Sequence, residues 1–110
     1  MVSEERKYDI LNNIKDQFNK TEKINMSIDL CNGDFIFIKT IQSTRDHKNI
    51  WLDLVANPNN TKRYDGSGSI RKYDMTNYDL DKLMISVANL IDRSNYYEEK
   101  FLKNFYGKTF

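Results

Sequence analysis

Residues 24–41 of the sequence, INMSIDLCNGDFIFIKTI, carry the strongest local signal in the chain. In residues 24–30 apolar and polar side chains alternate, a period of two that is typical of a β-strand with one buried face. Asn32 and Gly33 follow, and this dipeptide tolerates the positive φ angles that a type I′ hairpin turn requires. Residues 35–41 are apolar at nearly every position, so we expect a central strand or one covered on both faces. The stretch therefore predicts a β-hairpin.

The segments next to this hairpin extend the pattern in both directions. On its N-terminal side, residues 3–19 predict a helix, because Tyr8, Leu11, Ile14 and Phe18 recur at helical spacing. Ser3 is suited to be its N-cap, since a serine hydroxyl can accept a hydrogen bond from a free N–H of the first turn. On the C-terminal side, residues 50–55 alternate again and predict a third strand.

The last third of the chain has helical periodicity. Thr76 is placed to cap a helix whose apolar stripe occupies residues 80–91. The stripe lapses at Ser94 and Asn95, where we expect a break before a shorter helix that ends near Gly107. The chain therefore predicts one α+β domain over residues 1–110, with an N-terminal helix, a four- to five-stranded antiparallel sheet and one or two C-terminal helices packed on the sheet.

Composition and charge exclude several classes of protein. The 17 Lys and Arg residues against 16 Asp and Glu residues give a net charge of +1, which excludes an acidic DNA mimic and a chain-wide nucleic-acid-binding charge. Cys31 is the single cysteine, so no internal disulfide can form, and we expect a half-buried, inert thiol at a strand end. We expect no signal peptide, because Glu4, Glu5 and Arg6 occupy positions where an apolar run would be needed, and the given sequence contains no apolar run of about 18 residues. We expect a soluble protein in the cytoplasm of a bacterial host cell, without membrane contact.

Residues 62–74, KRYDGSGSIRKYD, repeat basic, tyrosine and aspartate residues on both sides of a glycine-serine spacer. They predict a second hairpin, in which one face carries crossed aromatic-basic pairs and the other face carries the remaining two cations. Such a tip could grip a protein pocket or touch nucleic-acid phosphates. The alternative is a solvated hairpin whose lysines deter edge-to-edge aggregation. The candidate partner-binding residues are Lys62, Arg63, Tyr64, Arg71, Lys72, Tyr73 and, in the C-terminal aromatic tail, Tyr106.

The sequence favours no catalytic or metal site, and it implies no cofactor. The only histidine, His47, lies in a polar loop without a nucleophile elbow near it. Residues 46–48 and 98–100 each place a lysine two positions after an acidic residue, a form that occurs in metal-dependent nucleases and also by chance in a highly charged chain. The supporting acid of such a site could be Asp34 or Asp53, and Asp53 is expected to face solvent on the third strand. We expect a protein that is not an enzyme.

In size and in its bias toward Asn, Lys, Ile and Tyr, the chain resembles the small accessory proteins of phages and mobile elements, among them anti-CRISPR inhibitors. The resemblance lies in composition alone. It implies a non-enzymatic binding protein that inhibits or modulates a larger nucleic-acid-handling protein, a host or defence protein such as a nuclease complex, by steric occlusion. The alternatives are direct nucleic-acid binding through residues 62–74, a small metal-dependent nuclease, and a structural or regulatory homodimer formed through a strand edge or the aromatic tail.

Overall fold

The computed structural model describes an α+β chain in which an N-terminal helix, an antiparallel sheet and a C-terminal helix follow one another, as predicted. It describes residues 1–21, 23–43, 48–56, 69–75 and 78–106. The elements are α1 (Glu4–Lys20), β1 (Asn25–Asp29), β2 (Asp34–Ser43), β3 (Lys48–Ala56), β4 (Ser69–Met75) and α2 (Leu80–Tyr106).

The sheet is a meander in which neighbours in sequence are neighbours in space. β1, β2 and β3 form a three-stranded antiparallel unit, and β4 pairs with β3, which gives the order β1-β2-β3-β4. β2 therefore lies inside the sheet, as its apolar sequence predicts. The described strand count is lower than the five that the sequence allowed, because the first arm of the predicted 62–74 hairpin lies outside the described residues.

One face of the sheet is covered by both helices. Ile36 and Ile38 of β2 are paired with Leu54 and Leu52 of β3, and all four side chains are fully buried against the helices. Burying each of them contributes roughly 1.5 to 3 kcal/mol relative to leaving it exposed. The pairing places the even-numbered residues of the first three strands on this helix-covered face and the odd-numbered residues on the opposite face.

α1 begins as the sequence predicts, because the Ser3 hydroxyl accepts a hydrogen bond from the N–H of Arg6 at 3.1 Å. Ile10 and Ile14 are buried in the core. Tyr8, which the periodicity placed in the apolar stripe, is instead 67% exposed. The stripe that meets the sheet is centred on the two isoleucines, so Tyr8 falls outside it.

α1 and α2 lie antiparallel on the sheet. The backbone N–H of Val2 donates to the Asn95 side chain at 2.8 Å, and Lys7 forms an ion pair with Asp92 at 2.9 Å. At the other end of α1, the rings of Phe18 and Tyr78 meet edge to face, with centroids 6.1 Å apart. These contacts join the start of α1 to the middle of α2, and the end of α1 to the residues just before α2.

α2 corrects two predictions about the C-terminal segment. The predicted break at Ser94 and Asn95 is wrong, since one helix runs through both residues. The predicted start is also wrong, because the helix begins at Leu80 and Asp79 caps it by accepting a hydrogen bond from the N–H of Lys82 at 2.7 Å. The predicted ending at Gly107 lies outside the described residues.

The β1–β2 hairpin is confirmed, but its turn differs from the predicted type I′ geometry. The N–H of Leu30 donates to the carbonyl of Asp34 at 3.0 Å, which leaves a three-residue loop between them. Positive φ angles occur at Cys31 (60°) and Gly33 (93°), and not at Asn32. Cys31 is exposed in this loop, so the expected half-buried thiol is wrong. The thiol leaves the core because the chain turns one residue earlier than the asparagine-glycine pair predicts.

Candidate partner-binding surface

The face of the sheet opposite the helices carries aromatic and charged side chains on its two inner strands. We call this surface the outer sheet face and define it by Phe35, Phe37, Lys39, Trp51, Asp53 and Val55. Among the described elements, both helices lie on the other side of the sheet. Neither described helix therefore covers the outer sheet face.

An aromatic pair forms the centre of the outer sheet face. Phe35 and Phe37 are two residues apart on β2, so both side chains project to the same side. Their rings are nearly parallel, with an interplanar angle of 26° and centroids 6.3 Å apart. Phe37 is 41% exposed, an unusual position for a large apolar ring in the middle of a sheet. An exposed aromatic stack of this kind is a feature of surfaces that bind partners.

The β2–β3 register surrounds this pair with groups of mixed chemistry. Phe35 is opposite Val55, Phe37 is opposite Asp53, and exposed Lys39 is opposite Trp51. Trp51, Asp53 and Val55 are half-buried and contribute partly accessible area beside the two phenylalanines. Asp53 lies on the outer side of β3, as the sequence predicts. The surface thus has an apolar centre bordered by charges of both signs.

Of the residues that the sequence predicts to bind a partner, one described position lies on the same face of the sheet as this surface. Lys62, Arg63 and Tyr64 lie outside the described residues. β4 pairs Lys72 with Asp53, so the register assigns position 72 to the outer face of the sheet. Arg71 and Tyr73 are paired with Leu54 and Leu52, and their positions alternate with that of Lys72. Tyr106 is the last residue of α2. The binding role of these residues stays a prediction.

The outer sheet face was missed at the sequence level, although one signal was present. The sequence placed apolar residues at nearly every position of β2, which is consistent with burial on both faces. Phe37 and Ile41 are exposed instead, and Lys39 lies between them on the same strand. The lysine was the available signal, because a charged residue is rarely found on a strand face that another layer covers.

A second exposed aromatic group lies on α2. Tyr96 and Tyr97 meet edge to face with centroids 5.5 Å apart, and the guanidinium carbon of Arg93 lies 4.9 Å from the Tyr97 ring centroid. Arg93 also donates to the Tyr97 hydroxyl at 3.0 Å. The arginine holds the Tyr97 ring in place, so this group is a stabilised feature of the helix surface.

A polar cluster connects the β1–β2 turn to α2. Ser94 is fully buried, and its hydroxyl donates to the Asp34 carboxylate at 2.5 Å and accepts from the Asn32 amide at 2.8 Å. The same amide lies 3.3 Å from the Glu98 carboxylate. A serine hydroxyl that donates to a carboxylate resembles the nucleophile and base of a hydrolase. Asp34 and Ser94 are fully buried, however, so a substrate in solvent cannot reach this hydroxyl. Their arrangement fixes the turn on the helix.

The metal-nuclease alternatives gain no geometric support from the part of the chain that the structure describes. Asp46 and His47 lie outside it. Glu98 accepts the Asn32 amide and also lies 2.9 Å from the amino group of Met1, while Glu99 and Lys100 are exposed on α2. Within the described ranges, His, Cys, Asp and Glu residues form no group of three that could hold a metal ion.

Among the residues that the structure describes, two titratable groups have perturbed pKa values, Lys7 on α1 and Tyr78 just before α2. Burial raises the pKa of Tyr78, and the polar side chain of Thr40 partly opposes this rise. The hydrogen bond with Asp92 raises the pKa of Lys7 above its ordinary value. The Lys7 shift therefore comes from a contact between the two helices, and the Tyr78 shift comes from burial.

Comparisons of this chain with protein-family models, curated proteins and solved structures find no match. Neither described helix contains a stretch apolar enough, over sufficient length, to cross a membrane. Any functional conclusion must therefore come from the geometry and composition of the molecule itself.

Proposed function

We propose that this chain is a non-enzymatic binding protein that inhibits or modulates a larger nucleic-acid-handling protein by steric occlusion. It would contact that partner with the outer sheet face and with the adjoining segment 62–74. The helices and the buried half of the sheet would act as a rigid support for this contact surface.

The observation that carries the proposal is the half-exposed stack of Phe35 and Phe37. With Phe37 41% exposed, the chain forgoes part of the stabilisation that burying this residue would give. In protein interfaces, aromatic side chains at the centre of the contact supply much of the binding energy, and a surrounding rim excludes water. Phe37, bordered by Lys39 and Asp53, matches that arrangement of an apolar centre with a polar rim.

The charges of the outer sheet face favour a protein partner over direct binding of nucleic acid. Lys39 is accompanied by Asp53 on the neighbouring strand and by Asp29 on β1, which the register pairs with Phe35. A surface that binds the phosphate backbone requires an excess of positive charge, because counterion release supplies most of the affinity. The basic and aromatic composition of residues 62–74 supports a nucleic-acid-handling protein as the partner class.

Affinity capture tests the proposal. The tagged chain is incubated with lysate of the bacterial host, with and without nuclease treatment, and captured proteins are identified by mass spectrometry. We expect a specific partner whose capture persists after nuclease treatment and is lost when the chain carries Phe37→Ala. Removing a central aromatic costs about 2 kcal/mol or more, which corresponds to a loss of affinity of roughly 30-fold.

Tyr8→Ala is the matched control, because it removes an exposed aromatic ring from α1 on the helical side of the molecule. Capture that is equally strong with Phe37→Ala and with Tyr8→Ala would contradict the proposal. Capture that disappears after nuclease treatment would favour direct nucleic-acid binding. In that case log affinity should fall by about 0.9 per phosphate contact for each tenfold rise in salt.

A further inference from the structure

The edge of the sheet at β1 carries backbone groups that no described strand pairs with; of these, the Asp29 carbonyl has one long contact, 4.0 Å from the Cys31 thiol. Within the described sheet, β1 pairs with β2 only. The carbonyl of Ile24 accepts from Thr40 at 2.8 Å, and the N–H of Leu30 donates to Asp34 at 3.0 Å. In an antiparallel pair the backbone groups of successive residues point alternately toward the partner strand and away from it.

The same alternation identifies the residues that face outward. Ile24 and Leu30 both bond to β2, so the even-numbered residues between them do the same. The N–H and C=O groups of Asn25, Ser27 and Asp29 therefore point away from β2, toward the open edge. All three side chains are exposed. An edge of this kind can accept another strand.

α1 leaves this edge accessible. A groove of about 230 Å³ lies between the helix and β1. On its helix side are Arg6, Asp9, Ile10 and Asn13, and on its strand side are residues 26–29 and Cys31. The buried Ile10 and Ile28 and the half-buried Met26 give it an apolar floor. An added strand would cover Met26 and complete the burial of this floor.

We infer that the open edge of β1 pairs with β1 of a second copy of this chain, antiparallel about a two-fold axis at Ser27. Asn25 then lies opposite Asp29 of the second copy, Ser27 opposite Ser27, and Asp29 opposite Asn25. Each of these three pairs exchanges two backbone hydrogen bonds. The two four-stranded sheets become one continuous sheet, and the two outer sheet faces lie side by side.

The side chains of β1 select a second copy as the occupant. In the register centred on Ser27, both aspartates face an asparagine amide, which can donate to a carboxylate, and no like charges are opposed. On the helix-covered side the same register places Met26 opposite Ile28, apolar against apolar. Arg6 and Asp9 supply charges of both signs along the groove, which a two-fold axis can match. β1 can therefore pair with a second copy of itself without a mismatch of charge or polarity on either side of the sheet.

Sedimentation velocity of the intact chain over a range of concentrations tests this dimer. Ser27→Pro removes the N–H at the centre of the paired edge. The fold should tolerate the proline, because that N–H takes no part in the β1–β2 ladder. We expect a concentration-dependent dimer for the native chain and a monomer for Ser27→Pro. Ser27→Thr keeps the N–H and favours strands, so it is the matched control and should remain dimeric.

Charge variants at Asn25 provide a second test that leaves the backbone unchanged. Asn25→Asp places an aspartate opposite Asp29 of the second copy at both ends of the interface. Asn25→Lys places a lysine there instead. We expect the dimer dissociation constant to rise roughly 2- to 30-fold for Asn25→Asp and to fall by a similar factor for Asn25→Lys.

Three results would each overturn the inference. The first is a native chain that stays monomeric up to about 1 mM, where even a weak interface is populated. The second is a folded Ser27→Pro variant that still dimerises. The third is a dissociation constant that Asn25→Asp and Asn25→Lys leave unchanged. None of these measurements involves the proposed partner, so their failure is separate from failure of the proposed function.

Discussion

Replacing Ser94 by alanine removes the hydroxyl that joins α2 to the β1–β2 turn. Ser94 is fully buried, donates to the Asp34 carboxylate at 2.5 Å and accepts from Asn32 at 2.8 Å. Alanine fills nearly the same volume and has a higher helix propensity, so neither a cavity nor a weaker helix explains a loss of stability. The substitution therefore isolates the two hydrogen bonds.

The magnitude follows from the charge on the acceptor and from burial. A hydrogen bond to a charged group contributes about 1.5 to 3 kcal/mol, and the neutral bond from the Asn32 amide contributes about 0.5 to 1.5 kcal/mol. Subtracting about 0.5 kcal/mol for the gain in helix propensity leaves a loss of about 1.5 to 4 kcal/mol. For a chain of this length, such a loss lowers Tm by roughly 6 to 25 °C.

Urea unfolding monitored by circular dichroism measures this change. Ser86→Ala, the same substitution at a half-buried position of the same helix, is the matched control and should change stability by no more than about 0.5 kcal/mol. A double-mutant cycle with Asp34→Asn should give a coupling free energy of at least about 1 kcal/mol. If the unfolding free energy of Ser94→Ala lies within about 0.5 kcal/mol of the native value, the two hydrogen bonds do not stabilise the fold as argued.

Three further predictions follow from single contacts. Burial raises the pKa of Tyr78 above its ordinary value of 10.0, so the stabilisation from this residue is complete below pH 10 and is lost as the pH rises through the folded-state pKa. Tyr78→Phe should therefore flatten the fall in unfolding free energy above pH 10, as measured by urea titrations. Asp92→Asn breaks the partly exposed ion pair with Lys7 and should lower the unfolding free energy by about 0.2 to 1 kcal/mol at low ionic strength, and by less at about 1 M salt. An equal loss at both salt concentrations would contradict an electrostatic origin. Cys31→Gly should raise stability by up to about 1 kcal/mol because the φ of 60° at this position suits glycine, whereas Cys31→Val should lower stability. If the valine variant melts at a higher temperature than the glycine variant, backbone strain at this position is ruled out.

The candidate surface shows where inference from the sequence ended. Sequence composition drew attention to residues 62–74, and the register of β4 places Lys72 opposite Asp53, beside the outer sheet face. The aromatic stack of Phe35 and Phe37 was hidden in a strand that is apolar on both sides. Alternation shows which residues share a face, but it does not show whether a second layer covers that face.

The sequence by itself determined the secondary structure of most of the chain and its order. Alternation in residues 24–30 predicted β1, the apolar run in residues 35–41 predicted an inner strand, and Ser3 predicted the start of α1. These features are local, because side-chain period and capping depend on neighbours within a few residues.

Only the tertiary structure decided that α2 continues through Ser94 and Asn95. Read locally, two polar residues interrupt the apolar stripe and predict a break. In the folded chain Ser94 bonds to Asp34, 60 positions away, and Asn95 bonds to the backbone of Val2, 93 positions away. A buried polar group is costly only when it lacks a hydrogen-bond partner, and partners this distant in sequence exist only once the chain has folded.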